Sequence, residues 1–225
     1  MDKIRVLLVD DHPLAREGLR TMLSTASDIE VVAEASDGVE AVERADEHQP
    51  EIILMDVRMP NMDGLEATRR IKSRLPSVSV IVLTAYDNDA YIVDAVRSGA
   101  GGYLLKDASK DLLIHTIRAV NSGGMLIKSS LFREAVLGWS DASGSLLKEK
   151  SAASAMLEEL TPRERDVLRH MIEGRTNRQI GQALFISEDT AKKHVQAIML
   201  KLGVSDRTQA AVKAVRSGLL DLFPG

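Results

Sequence analysis

Asp10 and Asp11 stand side by side where the apolar run Val6-Leu7-Leu8-Val9 ends. Two adjacent carboxylates at the tip of a buried strand repel each other, so the pair implies a cation to hold. About 45 residues later a second apolar run, Ile52-Ile53-Leu54-Met55, ends on another acid, Asp56. A third, Val80-Ile81-Val82-Leu83, ends on Thr84, and a fourth, Gly102-Tyr103-Leu104-Leu105, ends on Lys106. A lone aspartate at a strand end is usually a helix cap or a satisfied turn. Three acids, a hydroxyl and an amine delivered by four strand ends are the equipment of a metal-assisted phosphoryl site.

The elements that must position these groups are legible in the same stretch. Strand-like runs fall at 4–9, 30–35, 52–56, 80–84 and 102–105, and helical patterns at 13–23, 38–47, 64–74, 89–98 and 109–122. Continuous rather than alternating apolarity marks strands covered on both faces, as in a parallel sheet. Regular alternation of strand and helix then predicts a doubly wound α/β domain, whose ligands lie beyond the carboxyl ends of the strands. Every polar residue named above falls at such an end.

Bulk properties narrow the function classes. The chain has 225 residues, 44% hydrophobic and 28% charged, and no cysteine, which excludes disulfides, thiolate metal sites and a cysteine nucleophile. No apolar run approaches the ~20 residues that span a bilayer. The start MDKIRVLLVDD has too short an apolar stretch for a signal peptide, so a cytoplasmic protein with no membrane partner is expected. The net charge of −4 hides an asymmetry: residues 1–125 carry 14 Lys/Arg against 21 Asp/Glu, whereas residues 155–225 carry 11 against 9. An acidic front and a mildly basic rear suggest two jobs.

After a loose region from about 123 to 155, with a small polar tether at 138–145, the last 65 or so residues read as helical throughout. Thr161-Pro162-Arg163-Glu164 is a capping box with proline at the first helical position, and Gly174 is a stop. A short helix at 177–184 leads through a turn at Phe185-Ile186 to a longer helix capped by Ser187 and ended by Gly203. That pair is a helix-turn-helix, at about 176–195. In the longer helix Ala191, Val195, Ile198 and Leu202 form the buried stripe, and Asp189, Lys192, Lys193 and Gln196 face outward. A helix of this kind can lie in the major groove of duplex DNA. A fourth helix is expected from Arg207 to Ser217.

Residues 1–122 resemble a response-regulator receiver domain through Asp10-Asp11, Asp56, Met59-Pro60-x-x-Asp63-Gly64, Thr84, Gly99-Ala100 and Lys106. Residues 160–220 resemble the LuxR-type DNA-binding domain almost end to end. The whole chain is thus similar to two-component response regulators of the NarL/FixJ class. The resemblance implies a CheY-like five-stranded sheet of order 2-1-3-4-5 and a separate all-α four-helix domain. It implies a receiver at 1–122, a linker at 123–155 and a DNA-binding domain at 156–225. Asp56 would be the phosphoacceptor, and Asp11, Asp56 and the Arg58 carbonyl would bind Mg²⁺ directly, with Asp10 acting through water. Lys106 would pair with phosphoryl oxygens, while Thr84 and Tyr103 would form the switch. Lys192, Lys193 and Gln196, and more weakly Asp189, would contact DNA. The implied partners are a sensor histidine kinase, double-stranded DNA and a second copy of the chain when phosphorylated or DNA-bound.

Some positions depart from that pattern or qualify it. Asp107 stands where many receivers have proline, and Arg58 and Tyr86 flank the site at positions able to screen attacking water. Leu200 is apolar where relatives often carry a basic residue, which suits a core or dimer position. The Ala210, Ala211, Ala214 stripe would allow close approach across a dimer. Two rival readings share part of the evidence: a Mg²⁺-dependent small-molecule phosphatase, and a DNA binder with a vestigial receiver. The first lacks a D-x-D nucleophile arrangement, a substrate cap and a P-loop. The second has to explain why every phosphorylation residue is present. The chain is therefore expected to be a phosphoacceptor transcription factor and not an enzyme.

Overall fold

The computed structural model describes residues 3–85, 89–124, 159–204 and 207–216. The chain divides into two compact units, Met1–Asn121 and Ser122–Gly225. The tether at 138–145, Tyr86, and Ser205 and Asp206, either of which is expected from the sequence to cap the fourth helix, lie outside the described residues.

The first unit alternates β1 (Ile4–Val9), α1 (Pro13–Ser24), β2 (Ile29–Ala35), α2 (Gly38–His48), β3 (Ile52–Asp56), α3 (Gly64–Arg74), β4 (Ser79–Thr84), α4 (Asp89–Ser98), β5 (Gly102–Leu105) and α5 (Lys110–Asn121). The five strands are parallel and ordered β2-β1-β3-β4-β5. The central strands are buried on both faces, which explains their unbroken apolar runs. One face carries Leu7, Val9, Ile53, Met55, Val80 and Val82 beneath the alanine-rich inner sides of α2, α3 and α4. Asp37 caps α2 by accepting from the Val39 and Glu40 amides, and Asp63 caps α3 by accepting from that of Glu66. The turns into α2 and α3 are therefore each held by a cap of their own.

The second unit contains α6 (Pro162–Ile172), α7 (Asn177–Leu184), α8 (Glu188–Lys201) and α9 (Arg207–Arg216). Capping boxes start α6 at Thr161 and α7 at Thr176, and Ser187 caps α8. Phe185 takes the left-handed conformation that ends α7 and makes the tight turn into α8. Ala191, Val195, Ile198 and Leu202 are buried as expected. The alanine stripe of α9 is not open to a second copy: Ala210, Ala211 and Ala214 are each 0% exposed and pack within their own unit, where α9 meets α6. Leu200 is 83% exposed and is no core residue. Among the described residues no helix is long and apolar enough to cross a membrane.

Two polar ties fix this small core. The buried guanidinium of Arg207 donates to Asn177 Oδ1 and to the Arg175 carbonyl, joining α9 to the start of α7. The buried carboxylate of Glu164 accepts from its cap amide at Thr161, 2.7 Å, and from Lys201 Nζ, 2.7 Å, joining the start of α6 to the end of α8. Burial opposes ionisation of Glu164, yet the Lys201 bond and the cap amide outweigh it and hold the carboxyl below its ordinary value. A depressed folded pKa stabilises above the unfolded value, near 4.5, and that contribution fades as pH falls through the folded value. Urea titrations at pH 7 and pH 3 should therefore show Glu164→Gln losing stability at pH 7 and little at pH 3. An equal loss at both would remove the ion pair from this account.

Candidate phosphoacceptor site and recognition helix

Strand register alone brings the chemistry together. Val9 pairs with Met55, so Asp10 and Asp56 follow as neighbours at the ends of β1 and β3. Asp56 pairs with Leu83, one residue before Thr84, and Thr84 pairs with Leu105, one residue before Lys106. The Lys106 amide donates to the Thr84 carbonyl at 2.7 Å, which fixes where the lysine leaves the sheet. Its ammonium lies 2.7 Å from Asp10 Oδ2 and 2.9 Å from Asp56 Oδ2. Asp10, Asp56 and Thr84 are buried, and Asp11 is half-buried at the rim.

The electrostatics follow from that placement. Burial pushes the Asp56 carboxyl above its ordinary value, against the pull of Lys106 and with some help from Asp10. Burial works against the Lys106 ammonium as well, but its bonds to Asp10 and Asp56 win and raise it. Ligand atoms of Asp10, Asp11, His12 and Asp56 all lie within 4.8 Å of one another. Three carboxylates this close form the all-oxygen set that a hard divalent ion prefers, an octahedral Mg²⁺ having opposite ligands ~4.2 Å apart. The residues fit such an ion. Arg58 lies exposed in the loop after β3, two residues beyond Asp56. Tyr103 is half-buried opposite Val82 and packs against the core beneath α2 to α4. Among the described residues no peptide bond is cis, the one joining Lys106 to Asp107 included.

Some contributors were not singled out from the residues alone. His12 places Nδ1 2.6 Å from Asp11 Oδ1, and its amide donates to Asp10 Oδ1 at 2.9 Å. Arg16 reaches back from α1 to the Asp10 carbonyl while its Nε pairs with Glu34. The position of His12 directly after the paired acids was the available signal for it. Arg16 has only a helix face to show in the sequence. Gly64 matters for a different reason: a Cβ there would sit 1.8 Å from the Asp56 carbonyl oxygen.

In the second unit Asp189, Lys192, Lys193 and Gln196 are all exposed on α8. They are not independent, because Lys193 Nζ lies 2.8 Å from Asp189 Oδ2. His194 is half-buried at the helix edge.

A parallel sheet with an acidic pocket at its carboxyl edge, in one chain with a capped helix-turn-helix, defines a signal-receiving DNA-binding regulator. Comparison with known proteins agrees. Residues 6–118 match the response regulator receiver domain family, and residues 158–214 match the bacterial regulatory proteins of the luxR family. The transcriptional regulatory protein DegU of Brevibacillus brevis is 39% identical over 224 residues, covering 96% of this chain and 95% of its own length. LiaR of Bacillus subtilis (strain 168) is 41% identical over 218 residues, covering 97% of this chain and 100% of its own. The crystal structure of the response regulator ChrA of a heme-sensing two component system aligns with a TM-score of 0.50 at 36% identity, over 97% of this chain and 100% of that one. The chain belongs to the response regulators that join a receiver domain to a LuxR-type DNA-binding domain, and it regulates transcription within a two-component system.

Gly64→Ala tests whether the close approach of α3 to the end of β3 is as rigid as it looks. The added methyl must displace backbone, so a stability loss of about 3 kcal/mol is expected in chemical denaturation. A loss under ~0.5 kcal/mol would mean that the loop after Asp56 yields freely.

Proposed function

We propose that Asp56 accepts a phosphoryl group from a sensor histidine kinase, and that the modification controls dimerisation and sequence-specific DNA binding. The observation that carries this reading is the Lys106 ammonium bridging Asp10 and Asp56 beside Asp11. An Asp56 oxygen attacks phosphorus, the bond from phosphorus to the kinase imidazole nitrogen breaks, and the imidazole leaves. Mg²⁺, when bound, supplies positive charge against the acids and the transferring group. Asp11, Asp56 and the Arg58 carbonyl would hold it directly, and Asp10 through water. Asp56 loses its own charge in forming the acyl phosphate, so Lys106 turns from that carboxylate to the phosphoryl oxygens.

Thr84 then offers its hydroxyl to the same oxygens, and because its carbonyl accepts from Lys106, the ends of β4 and β5 respond together. Tyr103, on β5 beside Val82, moves with them and alters the face of the receiver. The receiver is assigned to 1–122, the linker to 123–155 and the DNA-binding domain to 156–225, in a cytoplasmic protein. Lys192, Lys193 and Gln196 of α8 meet DNA, with Asp189 beside them, and two copies of the chain place two such helices about one duplex turn apart. Coupling of ~1–3 kcal/mol would change affinity about 5–150-fold.

With radiolabelled acetyl phosphate and Mg²⁺, wild-type protein should acquire a base-labile acyl phosphate. Asp56→Asn, or chelation of the ion, should abolish it. Full labelling of Asp56→Asn would overturn the assignment. DNA affinity measured with and without the phosphate donor should differ within the range above, and equal affinities would favour a DNA binder uncoupled from its receiver.

A further inference from the structure

The outward face of α8 is nearly self-neutralised. Its first two turns carry Glu188 and Asp189 against Lys192 and Lys193, and the i,i+4 pair Asp189–Lys193 is closed at 2.8 Å with both side chains in solvent. Each partner strengthens the charge of the other: the Lys193 bond holds the Asp189 carboxyl below its ordinary value, and the Asp189 bond raises the Lys193 ammonium. The pair is therefore ionised at neutral pH. A carboxylate near the start of a helix directed at DNA suits the helix's positive end but repels phosphate, so any contact it makes with DNA is to the bases.

We infer that Asp189 and Lys193 act as one unit that reads a single C·G base pair through the major groove. This inference rests on the assignment of α8 as the recognition helix.

The argument is one of matched spacing. In a C·G pair the cytosine N4 amine and guanine O6 are hydrogen-bonded to each other, hence about 2.9 Å apart. Each still presents a group to the major groove, N4 a second proton and O6 a second lone pair. The carboxylate oxygen and ammonium of the ion pair, 2.8 Å apart, present the complementary acceptor and donor at the same spacing. The carboxylate accepts from N4 while the ammonium donates to O6 and the neighbouring N7, so the ion pair stays closed on binding.

An A·T pair offers a similar couple at N6 and O4 but flanks it badly. Adenine N7, a lone pair, lies beside N6 and faces the carboxylate, and the thymine methyl lies beside O4 and crowds the ammonium. Reversing C·G to G·C sets donor against donor and acceptor against acceptor. Lys192 is left as the phosphate contact, insensitive to sequence.

The test is selection from randomised duplexes by the full-length protein treated with acetyl phosphate, followed by affinity measurement on the selected site. Wild type should enrich one C·G position per half-site, and A·T there should weaken binding about tenfold. Asp189→Asn, Lys193→Gln and the double variant should each lose that discrimination to a similar extent, since the two side chains act as one. Retention of the C·G preference by Asp189→Asn overturns the inference, as do single losses that add in the double variant. Lys192→Ala separates the layers. If it weakens all sites alike while no C·G position exists, only the paired reading falls. If it leaves binding to every site unchanged, the assignment of α8 falls, and this inference with it. Both paired residues are exposed, and circular dichroism verifies that the variants stay folded.

Discussion

Three carboxylates converge at one edge of a parallel sheet, and the rest of the receiver exists to keep them there. Two unit charges 4.8 Å apart repel by about 3.5 kcal/mol at an effective dielectric near 20. Three such pairs make a site that would scatter if its residues were on flexible loops. Asp10 and Asp56 are instead one step beyond Val9 and Met55, with Asp11 directly after Asp10, and the last four residues of each strand before them, 6–9 and 52–55, are wholly buried in strands paired on both sides. Lys106 supplies one positive charge at 2.7 and 2.9 Å, enough to hold Asp10 and Asp56 but not to neutralise Asp11 as well. The uncompensated charge is consistent with a site for a divalent cation.

The same logic explains details that look unrelated to chemistry. Asp10 is fully buried, so its polar atoms need local partners: the His12 amide donates to Oδ1, the Arg16 guanidinium to the carbonyl, and the Lys106 ammonium pairs with Oδ2. Asp56 ends its strand where α3 must begin almost on top of it, which leaves no room for a side chain at Gly64. The second unit meets its own polar obligations separately, through Arg207 to Asn177 and Glu164 to Lys201. Each unit is thus a complete core with its own internal ties.

What could be read from residues alone divides along physical lines. The strands were legible because burial on both faces writes itself as continuous apolarity, and each expected strand lies within one residue of the observed one. Thr161 and Ser187 were legible as caps because capping is local. Lys106 was legible because a lysine directly after a buried strand has few other places to go. Arg16 was not, since a helix arginine reads as solvated until the fold carries it to the Asp10 carbonyl. The alanines of α9 were misread for the mirror-image reason: small residues fit equally a dimer seam or a tight intramolecular crossing, and only the position of α6 decides between them. Asp189 and Lys193 had the spacing of an ion pair, and the fold shows that pair closed.

Charge distribution links the two halves of the proposed function. Sequence-independent affinity for DNA grows with the number of phosphates that lysine and arginine neutralise. The rear of this chain has only a slight basic excess, and one of the two lysines in the first two turns of α8 is already bound to Asp189. The acidic front contributes nothing attractive to a polyanion. Weak background binding is therefore expected, and under the proposed function a coupling of ~1–3 kcal/mol from the receiver would fall on an affinity that base contacts and dimer formation would supply. A strongly basic effector domain would hold DNA whatever the state of Asp56. A nearly neutral one would leave the decision to the phosphoryl group.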